Sequence, residues 1–172
     1  MPENRNYFGA IDDVILKEYN SSYPSEYQNE VSVLKLIILH HAVYHHIGST
    51  AVPALLSKPI IDIAIGLDSF PLSEQTIDNL SANGYVFWRE NPDLQHQFFF
   101  KNLPRTHHLH VYPIKATKLL NKIKLRDLLL LNPDLQEAYQ ALKIELSKKY
   151  KNDREGYTNG KTEWMNSILG SY

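Results

Sequence analysis

Asp62 stands among Ile60, Ile61, Ile63 and Ile65 in the stretch HHIGSTAVPALLSKPIIDIAIG, which runs from His45 to Gly66. A buried carboxylate without a partner is costly, so this one must meet a partner or face a cleft. It suits a metal or a proton-transfer site at the sheet surface. The structural alternative is an Asp that accepts hydrogen bonds from nearby backbone or caps an adjacent element. Farther along, HHLHVY puts His108 and His110 two residues apart. On a regular strand they point the same way, with His107 opposite. Two such imidazoles can chelate zinc, manganese or another transition ion. If their strand neighbours that of Asp62, the three form a two-His, one-carboxylate set. The alternative packs one His in the sheet and leaves the other in water.

A Gly-Ser turn precedes the acid. Gly48 permits close backbone approach or positive φ. The turn's N–H groups, with the hydroxyls of Ser49 and Thr50, are placed to hold an anion. Lys58 comes just ahead of the Asp62 strand, where it could pair with phosphate or with Asp62. The eight histidines fall in two groups: His40, His41, His45 and His46, then His96, His107, His108 and His110. His45 and His46 point to opposite sides of their strand. His46 can either orient the turn through hydrogen bonding or transfer protons near a ligand. From Lys101 to Arg126 there are seven Lys or Arg and no Asp or Glu. Lys115, Lys118 and Lys122 would lie along one side of a helix, either as a solvated face or as a patch toward a phosphate-bearing ligand.

The elements that must position these groups read as follows. Helices are expected over 24–40, 72–83, 115–131 and 134–150, and a short one over 161–169. Pro24 near a first turn, a stop at Gly84 and the break at Asn132-Pro133 mark the boundaries. Strands are expected over 42–47, 59–67, 85–89, 96–101 and 107–112. Residues 52–57 could form one helical turn, and KNDREGYTNG (151–160) reads as a polar loop. On the 59–67 strand, Ile61, Ile63, Ile65 and Leu67 share the core face. Ile60, Asp62, Ala64 and Gly66 share the other, and its small residues leave room for something to approach. The expectation is one domain over 1–172, with a sheet-containing part over 1–113 and a helical part over 114–172.

At 172 residues, 43% apolar and 22% charged, the chain can build a core. A net charge of -1, from 18 basic and 19 acidic residues, argues against a dedicated nucleic-acid binder. No apolar run approaches the length of a membrane span, and MPENRNYFGAIDD lacks a signal core, so a cytoplasmic location is expected. The absence of cysteine removes thiolate chemistry and disulfides.

HIGSTAVP…KPIIDI resembles the signature of the GrpB-like family, itself similar to the nucleotidyltransferase superfamily that includes DNA polymerase beta. NGYVFWRE, HLHV, LRDLLLLNPDLQEAYQALKIELSKKY and YTNGK follow in the family's order. The resemblance implies an α+β fold, a small mixed sheet flanked by helices with a C-terminal helical region. It implies a turn at Gly48-Ser49 that binds nucleotide phosphates, and an Asp62 that matches the first metal-binding, catalytic acid. The superfamily's second acid would fall at position 64, which is Ala64. Two-metal catalysis uses bridging carboxylates, so Ala64 makes a poor two-magnesium site. Ala54 replaces a family Gly and Leu130 a family Arg; the latter change removes a cation that could face the ligand. His46, Lys58, Arg126, Lys143 and Lys161 match family positions for ligand or phosphate binding. Lys58, Arg126, Lys143 and Lys161 would converge on the ligand cleft; the alternative is that Arg126 only pairs with Asp127 and that Lys143 and Lys161 only cover apolar surface. Tyr139 and Tyr157 would stack on a base or pack in the core. The functions implied are binding of a nucleotide or other phosphate-bearing small molecule with a divalent metal (Mg, Mn or Zn), and metal-dependent nucleotidyl transfer if catalysis is kept. The alternatives are a hydrolase or lyase using Asp62, His108 and His110, and a non-catalytic binding module.

Overall fold

The structure, a computed structural model, describes residues 14–39 and 41–171. Helix α1 (Tyr23–Ile37) starts with Pro24 in its first turn, where a missing N–H does no harm. It turns Val31, Leu34 and Ile37 inward. The expected helix was longer and ended at His40, which lies outside the described residues. Strand β1 (Ala42–Ile47) leads to Gly48 and a 3-10 turn over Ser49–Ala51. That turn comes earlier than the helical turn expected over 52–57.

Strand β2 (Ile61–Leu67) is β-branched and apolar apart from Asp62. Helix α2 (Glu74–Ala82) is capped by Ser73, whose side chain accepts from the Thr76 N–H, and the chain leaves it through Gly84 at a φ of 87°. Strands β3 (Tyr85–Phe87), β4 (Gln97–Lys101) and β5 (His107–Pro113) follow. Helices α3 (Thr117–Leu131) and α4 (Pro133–Lys149) are split by Asn132, which caps α4 by accepting from the Leu135 N–H.

The five strands form one mixed sheet in the order β1-β2-β5-β4-β3. β2 and β5 run parallel and the other pairs antiparallel. On one face, Ile61, Ile63, Ile65 and Leu67 join Leu34 of α1, Leu80 of α2, and Phe99, Leu109 and Val111 in the main core. Helix α3 covers the other face, and α4 and α5 (Arg154–Ser171) stack on it. The small residues of β2 do leave room, and what approaches is α3: a Cβ on Gly66 would lie 2.8 Å from Leu119. Ala64 is buried against Ile47, Tyr112 and Leu119.

The expected loop over 151–160 is helical from Arg154 onward. Its glycines serve close helix packing rather than a turn. A Cβ on Gly156 would meet Tyr150 at 2.5 Å, and one on Gly160 would meet Leu146 at 2.6 Å. Asp153 accepts the Gly156 N–H at 2.8 Å and steadies the helix start. Tyr157, inside the stretch read as a loop, is 1% exposed.

The expected lysine stripe is also divided, because α3 starts at Thr117 and leaves Lys115 ahead of it. Lys118 pairs with Asp93 at 2.6 Å, Lys115 is exposed, and Lys122 turns toward a cavity between α3 and the sheet. Leu130 is 44% exposed and is not part of that cavity's lining.

Ala54 has a φ of 70°, in the left-handed region where an L side chain is strained and glycine is not. Replacing it with glycine relieves the clash but adds chain entropy to the unfolded state. Ala54→Gly should therefore raise stability by about 0.5–1 kcal/mol net. Urea denaturation checks this; an unchanged or lower midpoint would show that the loop tolerates the alanine without strain.

Candidate functional site

β2 and β5 lie side by side with Asp62 opposite His108 and Ala64 opposite His110. This register, with the alternation of strands, brings the three polar side chains to the face that α3 covers. His108 Nδ1–H donates to Asp62 Oδ1 at 2.8 Å, and His110 Nε2 lies 3.9 Å from the same oxygen. One ligand atom from each of the three falls within 4.8 Å of the others. His107 points to the opposite side, toward Glu30, Lys101 and Tyr85.

Burial pushes the Asp62 carboxyl up, but hydrogen bonds and charge from His108 and His110 outweigh it and hold the group well below the usual carboxylate range. His110 is drawn down to about 4, chiefly by burial and then by the charge of Lys122. It is therefore a neutral imidazole at pH 7, as a metal ligand must be. The spacing and donor set fit a single divalent ion. Two nitrogens and one carboxylate oxygen favour zinc, manganese or iron over magnesium, which prefers all-oxygen surroundings.

The Gly-Ser turn meets the acid directly. Gly48 has a φ of 72°, and a Cβ there would fall 2.5 Å from Asp62 Oδ2. Only glycine allows this approach. Behind the turn, His46 Nε2 is 3.1 Å from Thr50 Oγ1, and that hydroxyl donates to the Ile60 carbonyl. With its one hydrogen so engaged, Thr50 accepts from His46. His46 also stacks on Tyr27 at 4.8 Å. His46 thus braces the turn from outside the cavity.

Gly48, Ser49, Asp62, His108 and His110 open into a cavity of about 320 Å³. Lys58, Arg126, Lys143 and Lys161 line the same cavity, so all four expected cations converge there. Arg126 holds Asp127 at 2.7 Å and donates Nη1–H to the His46 carbonyl. Lys143 is 1% exposed. Its ammonium donates to Ser49 Oγ at 3.2 Å and to the Leu56 carbonyl, and lies over the Tyr139 ring. Lys58 and Lys161 both lie near the Tyr157 ring, at 5.3 and 4.5 Å. Tyr139 and Tyr157 are packed in the core and reach the cavity at one edge.

The sequence marks Lys122 only as part of a lysine stripe and His96 only as one of a histidine group, and ties neither to Asp62. Lys122 is one helical turn before Arg126, and that spacing was the available signal. His96 stacks on Tyr112 at 4.5 Å and sits 3.1 Å from His110. Burial and the charges of His110 and Lys122 pull it down to about 3. Pairing β4 with β5 through the NLPRT turn would have placed it opposite Tyr112 and diagonal to His110.

The GrpB protein family matches residues 13–171. The chain belongs to the GrpB family. It is 35% identical to the UPF0157 protein PA4798 of Pseudomonas aeruginosa, over 98% of this chain and 72% of that protein. It is 32% identical to the glutamate-rich protein GrpB of Alkalihalophilus pseudofirmus, over 91% of this chain and 94% of that one. Among solved structures, GrpB from Enterococcus faecalis superimposes with a TM-score of 0.80 at 27% identity, covering 91% of this chain and 96% of that one. The Cid1 poly(U) polymerase superimposes with a TM-score of 0.56 at 15% identity; it shares the fold, and this chain spans 49% of it. Among the described residues no helix is long and apolar enough to cross a membrane.

Burial, and then the charge of Lys161, pull Lys143 from 10.5 down to about 7. Between these values the unfolded chain holds a proton that the folded chain lacks, so stability rises with pH. The slope is up to about 1.4 kcal/mol per pH unit. Compared by denaturation from about pH 7 to about pH 9, the wild type should gain on Lys143→Met by about 1 kcal/mol per unit. A difference that does not change with pH would mean that the buried amine stays charged.

Proposed function

We propose that the protein binds a phosphate-bearing small molecule, with a nucleotide as the first candidate, beside one divalent transition-metal ion held by Asp62, His108 and His110. What carries this reading is the convergence of that triad, the Gly48-Ser49 turn and four cationic side chains on one cavity. The turn's N–H groups and Ser49 Oγ receive phosphate oxygens. Lys143 stands behind Ser49 and, with Arg126, Lys58 and Lys161, balances the phosphate charge. The bound ion would polarise a phosphoryl oxygen as a Lewis acid.

Ala64 favours one ion over two. Its strand neighbour is His110, which occupies the side of the site where the superfamily resemblance puts a second carboxylate. If group transfer is retained, Asp62, His108 and His110 fix the ion while Arg126, Lys143 and Lys161 stabilise charge building on the transferred group. The same Ala64 supports a second reading, a binding module in which the nucleotidyl-transfer chemistry has been lost.

Calorimetry and thermal shift on the full chain test the proposal. Zinc or manganese should bind with one equivalent, more tightly than magnesium, and Asp62→Asn or His110→Ala should remove the binding. ATP, GTP, CTP and UTP are then added to the metal-loaded protein. At least one should bind, and Lys143→Met should weaken it by about 10- to 100-fold, the loss of a charge-assisted hydrogen bond. No heat and no shift in any mixture would overturn both parts.

A further inference from the structure

Of the two imidazoles beside Asp62, His110 is braced from behind by a third. His96 Nε2 lies 3.1 Å from His110 Nδ1, on the side of the ring away from Asp62. His96 is itself fixed. Its ring stacks on Tyr112 at 4.5 Å and an 8° interplanar angle, and its backbone N–H donates to the Asp93 carbonyl. Its carbonyl accepts from Asn91 Nδ2 at 2.7 Å. The residue sits just ahead of β4 and shares a face with Phe98, whose strand partner is His110.

We propose that His96 is the positioning residue of the metal centre. It accepts the Nδ1–H of His110 and thereby presents the Nε2 lone pair of His110 to the ion. The inference rests on the metal reading given above and adds a residue that touches neither ion nor ligand.

The chemistry follows from the imidazole ring. A neutral imidazole has one N–H and one lone pair, so His110 can ligate through Nε2 only when Nδ1 holds the hydrogen. That hydrogen needs an acceptor, and metal-bound histidines owe both orientation and basicity to such an outer partner. His96 Nε2 is the atom in place. Without an ion the pair can also adopt the reverse arrangement. Asn91 Nδ2, 3.3 Å from His96 Nδ1, then donates to it, and His96 Nε2–H donates to His110 Nδ1. His110 Nε2–H then faces Asp62. On ion entry the His110 Nε2 proton leaves, the His96 Nε2 proton passes to His110 Nδ1, and His96 Nδ1 takes up a proton. Both rings stay neutral, and the long contact from Asn91 to Nδ1 gives way.

The test titrates zinc, then cobalt, into the full-length wild type, His96→Phe and His96→Gln. Phenylalanine keeps the stack on Tyr112 and removes the acceptor; glutamine keeps an acceptor oxygen. Metal affinity should fall about 10- to 100-fold in His96→Phe, with a changed cobalt absorption spectrum, and recover in part in His96→Gln. Equal affinities in wild type and His96→Phe would overturn the inference while leaving the metal reading intact. Absence of binding in the wild type would overturn both. Nitrogen-15 spectra of the zinc-loaded wild type give a reading that does not depend on the variants folding: the His110 hydrogen should sit on Nδ1, and a hydrogen on Nε2 would refute the assignment.

Discussion

Asp62 places a negative charge on an inner strand, where water is scarce and neighbouring groups must replace it. His108 does so most directly, through a 2.8 Å hydrogen bond across the β2–β5 pair. Gly48 brings its turn against the other carboxylate oxygen, at a distance no side chain would permit. The rest of the site follows from these two contacts. The turn lies where it does because its backbone can reach the acid, and Ser49 is carried by that turn. Lys143 reaches Ser49 from α4, across the cavity. A change of one residue in the β2–β5 register would send Asp62 into the apolar core and separate it from both histidines.

The parallel pairing also bears on what position 64 can hold. Ala64 is packed against Leu119 and Tyr112, so a carboxylate there would need α3 to move outward. His110, from the adjoining strand, occupies that side of the site. On the proposed reading the chain therefore offers one formal negative charge to an ion, and the cavity around it is already rich in cations. A second divalent ion would enter a cavity lined by Lys122 and Arg126 in which, among the described residues, Asp62 is the one carboxylate of the lining. The composition of the site thus favours one ion with softer ligands over a pair of magnesium ions.

Much of this was legible in the residues themselves. The β-branched run of β2, the alternation that isolates Asp62, and the common direction of His108 and His110 all follow from strand periodicity. Asn132-Pro133 and Gly84 marked helix boundaries correctly because capping chemistry is local. The failures were of a different kind. Residues 154–160 read as a loop because Gly156 and Gly160 weaken helix propensity, yet tertiary contacts with Tyr150 and Leu146 override it. Lys122 falls in one stripe with Lys115 and Lys118 because helical periodicity shows which residues share a face but not which way the face turns. The role of His96 depends on its pairing with Tyr112 and His110, a nonlocal relation that no single segment displays.

Those glycines connect the helical layer to the site. Because Gly156 and Gly160 let α5 settle against α4, Tyr157 is buried and Lys161 lies across its ring, facing the cavity. Lys143, on the other helix of the pair, is buried over the Tyr139 ring. Burying an ammonium works against folding, and the hydrogen bonds to Ser49 and the Leu56 carbonyl offset only part of that cost. An arriving phosphate would supply the missing counter-charge, so the group that weakens the empty protein is the one a ligand would satisfy. Functional sites commonly keep such locally unfavourable groups because the surrounding fold holds them in place. Here the sheet holds the acid and the helical pair holds the cation, so the geometry of the site depends on how firmly the two layers pack.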